Sequence, residues 1–160
     1  MDPLFSPWRM QFILENREAG DMCVLCEVQR AATDRETLIL HRGDTCYVIL
    51  NLYPYNCGHV MVVPFRHVNT LSALDARELA ESVELLARAE AILAAEYQPH
   101  GFNVGANIGA VAGAGIPGHV HFHLLPRWQG DTNFLPIFGA TKSIPETLEE
   151  TYDRLKAAWT

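Results

Sequence analysis

The chain is short of positive charge. Twelve Lys and Arg stand against 19 Asp and Glu, a formal net charge of -7 over 160 residues. A field of that sign repels nucleic acid and anionic membranes. Neither is expected as a partner, and any phosphate site must be built locally from backbone N–H groups and a few cationic or histidine side chains. Long apolar runs are missing too. The stretch at residues 60–64 falls far below the roughly 20 residues that a membrane-spanning helix needs. The N-terminal Met1-Asp-Pro-Leu-Phe-Ser-Pro-Trp-Arg has no basic segment leading into an apolar one. No signal peptide is therefore expected, and the expected location is the cytoplasm. Four cysteines make no convincing disulfide framework in a chain this size. Cys46 and Cys57 stand alone, while Cys23-Val-Leu-Cys26 has the spacing of metal ligands or of a redox pair.

What is present is an ordinary globular balance, 49% hydrophobic and 19% charged residues, enough for one domain with a real core. A single domain is expected over residues 1–160, its core at about 23–128. Residues 10–17 suit a short N-terminal helix ended by Gly20-Asp21. Residues 37–41 and 46–50 are β-rich and flank Arg42-Gly43-Asp44, which predicts a hairpin. Pro54-Tyr-Asn-Cys-Gly58 predicts a turn, and residues 59–64 a buried strand. Asp75-Ala-Arg-Glu78 has the form of a helix N-cap with a reciprocal carboxylate. Behind it Leu79, Val83, Leu86 and Leu93 keep helical spacing to about Tyr97, and Pro99 closes the segment. Residues 102–108 and 119–126 alternate like strands around a glycine- and alanine-rich loop at 109–118, and a last helix is predicted from about Pro145 to Trp159. Together these elements predict an α+β domain: a mainly antiparallel sheet, one long crossover helix and terminal helices.

The most informative segment is His119-Val-His121-Phe-His123-Leu-Leu125. In a strand the three histidines share one face, with Val120, Phe122 and Leu124 turned to the core. Three adjacent imidazoles bury little apolar area and each needs hydrogen-bond partners, an expensive arrangement unless chemistry uses it. A neutral imidazole attacks phosphorus well when an acceptor holds its other nitrogen's proton, and a flanking histidine can stabilise the phosphoryl oxygens. The small residues of loop 109–118 let backbone N–H groups approach an anion closely. A surface histidine cluster or a plain metal site is the alternative reading. His41 and His100 read as surface or loop residues.

His-φ-His-φ-His-φ-φ, with φ apolar, resembles the signature of the histidine triad (HIT) superfamily. Asn51-Leu-Tyr-Pro54-Tyr-Asn-Cys-Gly58-His59-Val-Met-Val-Val-Pro64-Phe-Arg-His67 looks like that family's ribose-binding strand, turn and following strand, and the similarity runs from Cys23 to Arg127. The resemblance implies that His121 is the nucleophile, that His123 contacts the phosphate, and that His59 supports the site from the adjacent strand. It also implies that Asn51 hydrogen-bonds ribose hydroxyls and that Asn107 contacts phosphate or leaving group. Asn51 as a turn residue, Asn107 as a partner of loop backbone and His59 as a satisfied core histidine are the structural alternatives. Where family members keep the Cys-x-x-Cys pair, the resemblance implies a structural zinc, here on Cys23, Cys26, His67 and His119, with no organic cofactor. Two unmetallated buried thiols are the other reading of the pair.

Pro126-Arg-Trp128-Gln-Gly-Asp131-Thr-Asn133-Phe134, with Asn51-Leu-Tyr-Pro-Tyr-Asn56 and Phe5-Ser-Pro-Trp-Arg-Met10, resembles the bacterial diadenosine tetraphosphate phosphorylase-like branch. That implies a purine nucleotide or dinucleoside polyphosphate substrate, AMP retained on histidine and passed to phosphate, and a homodimer or higher homo-oligomer. Trp128 then stacks on a base, caps the site or simply packs; Arg127 meets phosphate or an internal carboxylate. One departure stands out. Many relatives carry a Gln-Ser/Thr pair just before the triad, whereas this chain has Ala114-Gly115-Ile116-Pro117-Gly118. Phosphate contacts around Gly115 and Ile116 must then come from backbone N–H groups, and water as acceptor, giving a hydrolase of dinucleoside polyphosphates or phosphoramidates, stays open beside phosphate. So does a non-catalytic nucleotide-binding module.

Overall fold

The computed structural model describes residues 22–131 and 144–159; the helix expected at residues 10–17 and the motif residues 5–10 and 132–134 lie outside them. In chain order the elements are α1 (Val24–Val28), α2 (Asp34–Thr37), β1 (Ile39–Arg42), β2 (Cys46–Leu50), β3 (Val60–Pro64), α3 (Ala76–Tyr97), β4 (Gly101–Gly105), β5 (Phe122–Arg127) and α4 (Leu148–Ala158). The strands form one sheet in the order β1-β2-β3-β5-β4, every neighbouring pair antiparallel. Because β3 and β4 both run antiparallel to β5, they are parallel to each other, and α3 is the crossover joining them. This is the α+β architecture expected from the pattern. No described helix is long and apolar enough to cross a membrane.

Both faces of the sheet centre are covered. Cys46, Val48 and Leu50 of β2 and Val60 and Val62 of β3 pack with Leu86, Leu93, Tyr152 and Leu155 of the long and last helices. The alternate residues Tyr47, Ile49, Met61 and Val63 turn to the opposite face, against Leu25 of α1 and Ile39. The period-two alternation of a strand thus separates a helix-covered face from the face that carries the site.

The Asp75 N-cap forms as expected: its carboxylate accepts from the Arg77 and Glu78 amides, and the Glu78 side chain accepts from the Asp75 amide. The buried stripe of α3 differs from the predicted one. Glu78, Ser82, Leu85, Leu86, Ala89 and Leu93 face inward, while Leu79 and Val83 are exposed. The polar members of the stripe are satisfied: Glu78 pairs with Arg66, and the Ser82 hydroxyl donates to the Glu78 carbonyl at 2.7 Å. Leu86 and Leu93 are buried as expected, and Glu78 and Ser82 stand inward in place of Leu79 and Val83.

Other boundaries moved for local reasons. Residues 34–37 make a helical turn closed by Leu38 at φ 64°, so the first strand begins at Ile39 rather than Thr37. The fourth strand ends at Gly105 rather than residue 108. The last helix starts at Leu148, capped reciprocally by Thr147 and Glu150. His41 lies in β1, half-buried with its ring stacked 4.8 Å from that of Trp159, so it is not a surface residue; His100 is exposed. The strand expected from residue 119 begins at Phe122, paired with Val62, and ahead of it the Val120 amide donates to the Val68 carbonyl at 2.7 Å. In that register Val120 lies opposite Pro64, which has no N–H to offer, and the Pro64 carbonyl is taken by the His119 ring at 2.9 Å.

Candidate active site and metal centre

The turn at residues 51–58 delivers the first candidate histidine. Gly58 closes it at φ +71°, where a Cβ would stand 3.0 Å from Leu93 and 3.2 Å from Pro126, so the position requires glycine. His59 follows, 1% exposed. Its Nδ1 accepts the Tyr55 backbone N–H at 3.1 Å, which leaves the proton of the neutral ring on Nε2. That Nε2 lies 2.9 Å from Nδ1 of His123, so His59 donates and His123 carries its own proton on Nε2. A backbone amide thereby sets the tautomers of two rings in series.

His121 is buried at 4% exposure, and its Nδ1 lies 2.8 Å from the His119 carbonyl. A carbonyl only accepts, so Nδ1 carries the proton and Nε2 keeps the lone pair. Burial lowers the proton affinity of His121, opposed by this hydrogen bond; the ring is neutral at pH 7 and suited to nucleophilic attack.

His121 and His123 line a cleft of about 240 Å³ together with Asn51, Asn107, Gly115 and Ile116. Asn51 Oδ1 accepts the Tyr53 amide at 3.0 Å, which turns its amide nitrogen toward His59 at 3.3 Å; the residue thus shapes the turn while facing the cleft. Asn107 Nδ2 reaches the Gly113 carbonyl at 3.4 Å. Trp128 does not line this cleft. It stands beside Tyr97, ring centres 6.4 Å apart, along a second cleft with Asp131 and Glu146. Arg127 pairs with Asp131, so the internal carboxylate is its partner.

One wall of the cleft escaped the sequence reading. Val24, Leu25 and Val28 of α1, with Leu38 and Ile49, give it an apolar end of the kind that accepts a nucleobase. The signal was present in the apolar positions 24, 25 and 28 interleaved with the two cysteines, but five residues are too few for periodicity to register.

The cysteines flank that wall. Cys23 Sγ lies 3.4 Å from Nδ1 of His119, and Cys26 Sγ lies 3.5 Å from the same atom and 3.3 Å from Nδ1 of His67. All four ligand atoms fall within 4.8 Å of one another. A thiolate sulfur and an imidazole nitrogen sharing a tetrahedral ion, with bonds of about 2.3 and 2.0 Å, stand ~3.5 Å apart, so this donor set fits a metal ion. The His119 Nε2–H donates to Pro64, leaving Nδ1 to face the thiols, the outer-shell support usual for a ligating histidine.

The HIT domain family model matches residues 32–130. The AP-4-A phosphorylase of Mycobacterium tuberculosis is 40% identical over 163 residues, spanning 98% of this chain and 83% of its own. A Zn-bound histidine triad family protein from Mycobacterium smegmatis has a TM-score of 0.67 at 24% identity, over 85% of this chain and 91% of that one. A hypothetical histidine triad nucleotide-binding protein from Sulfolobus tokodaii has a TM-score of 0.65 at 27% identity, over 84% and 87%.

Proposed function

The chain belongs to the HIT domain family, and on that premise we propose that it cleaves dinucleoside polyphosphates by phosphorolysis, through a nucleotide carried on His121. It is an enzyme of the histidine triad type. The observation that carries the reading is the tautomer of His121, whose Nδ1–H is held by a carbonyl at 2.8 Å while its lone-pair nitrogen belongs to a residue of the cleft wall.

With diadenosine tetraphosphate as substrate, His121 Nε2 attacks the phosphorus of one terminal AMP unit. A P–N bond forms, the phosphoanhydride breaks, and ATP leaves. His123 presents Nε2–H to the phosphoryl oxygens, where charge develops. Inorganic phosphate then attacks the same phosphorus, releasing ADP and restoring neutral His121. Backbone N–H groups near Gly115 and Ile116 and the amide of Asn107 complete the phosphate cradle, Asn51 serves the ribose, and α1 with Leu38 and Ile49 sheathes the base. Trp128 has no part in this site.

The ion proposed for Cys23, Cys26, His67 and His119 is zinc. Four protein donors close its shell, so its contribution is structural, and it requires the reduced thiols of a cytoplasmic setting. We also assign a homodimer joined along β4, an edge strand that exposes Val104; light scattering on the purified chain measures this mass directly.

Product analysis tests the reaction. Diadenosine tetraphosphate supplied with phosphate should yield ADP and ATP, and nothing without it. AMP and ATP released without phosphate would make water the acceptor, and no product under either condition would reduce the site to a binding module.

A further inference from the structure

We propose that Asn56 is a positioning residue of this site, holding the turn at residues 51–58 so that the Tyr55 amide sets the proton on His59 and, through it, on His123. The inference rests on the role given above to His123.

Asn56 is 6% exposed and does not itself line the cleft. Its side-chain amide donates to the Pro126 carbonyl at 3.1 Å and to Asp131 Oδ2 at 3.0 Å. Asp131 is itself held by the Arg127 guanidinium, at 2.6 and 2.9 Å, and by the Trp128 amide at 3.2 Å. Both N–H groups of Asn56 are therefore spent on the chain at and just beyond the end of β5, the strand that carries His123.

The main chain of Asn56 faces the turn instead. Its carbonyl accepts the His59 amide at 3.3 Å, and the His59 carbonyl accepts the Asn51 amide at 3.0 Å, closing the turn. Tyr55, immediately before Asn56, supplies the N–H on His59 Nδ1 at 3.1 Å. A backbone N–H aims only where its peptide plane faces; the Tyr55 N–H lies in the Pro54–Tyr55 peptide, one Cα away from the Tyr55–Asn56 peptide, whose far end the two side-chain bonds of Asn56 hold to β5 and Asp131. Release of Asn56 frees the Tyr55 peptide to rotate. His59 then keeps only the Asn51 amide, 3.3 Å from Nδ1, to hold its proton on Nε2, and the proton of His123 on the nitrogen facing phosphate is held less firmly.

A residue that merely braces the fold and one that sets a tautomer leave different marks. With histidine 15N-labelled in the full chain, long-range 15N–1H spectra report the protonated nitrogen of each ring. Wild type should show His59 protonated on Nε2 and His123 on Nε2. Asn56→Ala should mix the tautomers of both rings and lower kcat by about 10- to 100-fold, the scale of other outer-shell losses, while AMP affinity moves less than about twofold. Asn56→Ser, which keeps a donor for Asp131, should fold and fall between the two. In a His59→Gln background Asn56→Ala should cost less than about twofold, because the group through which it acts is gone.

Unshifted tautomers in Asn56→Ala or Asn56→Ser, or a full additive loss in the double variant, would overturn the proposal and leave the nucleophile untouched. Failure of the site reading would look different: activity surviving His121→Ala, with the spectra still deciding whether Asn56 governs His59.

Discussion

The carbonyl of His119 holds the Nδ1 proton of His121 at 2.8 Å, and the imidazole of His119 faces both cysteines. One residue thus joins the proposed metal centre to the proposed nucleophile, side chain to one and main chain to the other. The pair needs no further side chain to set its tautomer, which is why the alternation of the triad matters: a two-residue step returns a strand side chain to the same face, where it can fold back on the preceding carbonyl.

Replacing His121 by alanine should lower turnover by more than about 10⁴-fold, as removal of a covalent nucleophile does, and leave AMP binding within a few-fold of wild type. Radiolabelled substrate should mark the wild-type chain and not the variant after an alkaline quench, because the P–N bond to histidine is labile in acid. Turnover within tenfold of wild type would sink the assignment.

Loss of the proposed metal should act on α1 first, since through it Cys23 and Cys26 would tie that helix to His67 and His119 while its Val24, Leu25 and Val28 line the cleft. Cys26→Ser, or chelation of the wild-type protein, should lower Tm by about 10 °C, the shift that ~3 kcal/mol gives in a chain of this size. AMP binding should weaken about tenfold in step with it. Zinc analysis and calorimetric titration check the two effects together, and a chelated protein with unchanged melting and affinity would contradict the structural role.

What could be read in advance follows physical scale. The triad was legible because strand alternation puts three unusual side chains on one face, and the Asp75–Glu78 cap because its two partners lie three residues apart. The Cys-x-x-Cys pair announced a ligand set through the family resemblance, and its four donors do converge. Leu79 and Val83 misled because apolar identity does not say which face of a helix turns inward when Glu78 and Ser82 find buried partners. The Tyr55 amide was invisible, since every residue but proline offers one and only the turn aims it. Trp128 follows the catalytic strand closely, yet the chain turns at Gly130, φ +80°, and the indole faces Tyr97 instead.

Glu78 gives a stability prediction of ordinary size. Its carboxylate is 5% exposed, accepts the Asp75 amide at 2.8 Å, and takes both Arg66 Nε at 2.9 Å and Arg66 Nη2 at 2.6 Å. Glu78→Gln keeps the shape and removes the charge, so it should cost about 1–2 kcal/mol, read as a lower urea midpoint at unchanged slope. The half-exposed Arg66 holds the figure to that range. An unchanged midpoint would mean that solvent already screens the pair.

His41 makes stability depend on pH in a direction that can be worked out. Burial, and then the charges of Arg88 and Lys156, lower its proton affinity, with Glu81 opposing them. The folded chain therefore holds this proton less tightly than the unfolded chain, whose histidine titrates near the usual ~6.5. Above that value both states are neutral and the full stability is present; as pH falls through it the unfolded state alone takes up the proton, and stability declines. His41→Phe keeps a ring against Trp159 and removes the titration. Urea midpoints at pH 7.5 and 5.5 should differ less in the variant than in wild type. Some difference should persist, because burial lowers the proton affinity of His121 in the same direction. Equal pH dependence in the two proteins would show that His41 is free to charge in the folded state.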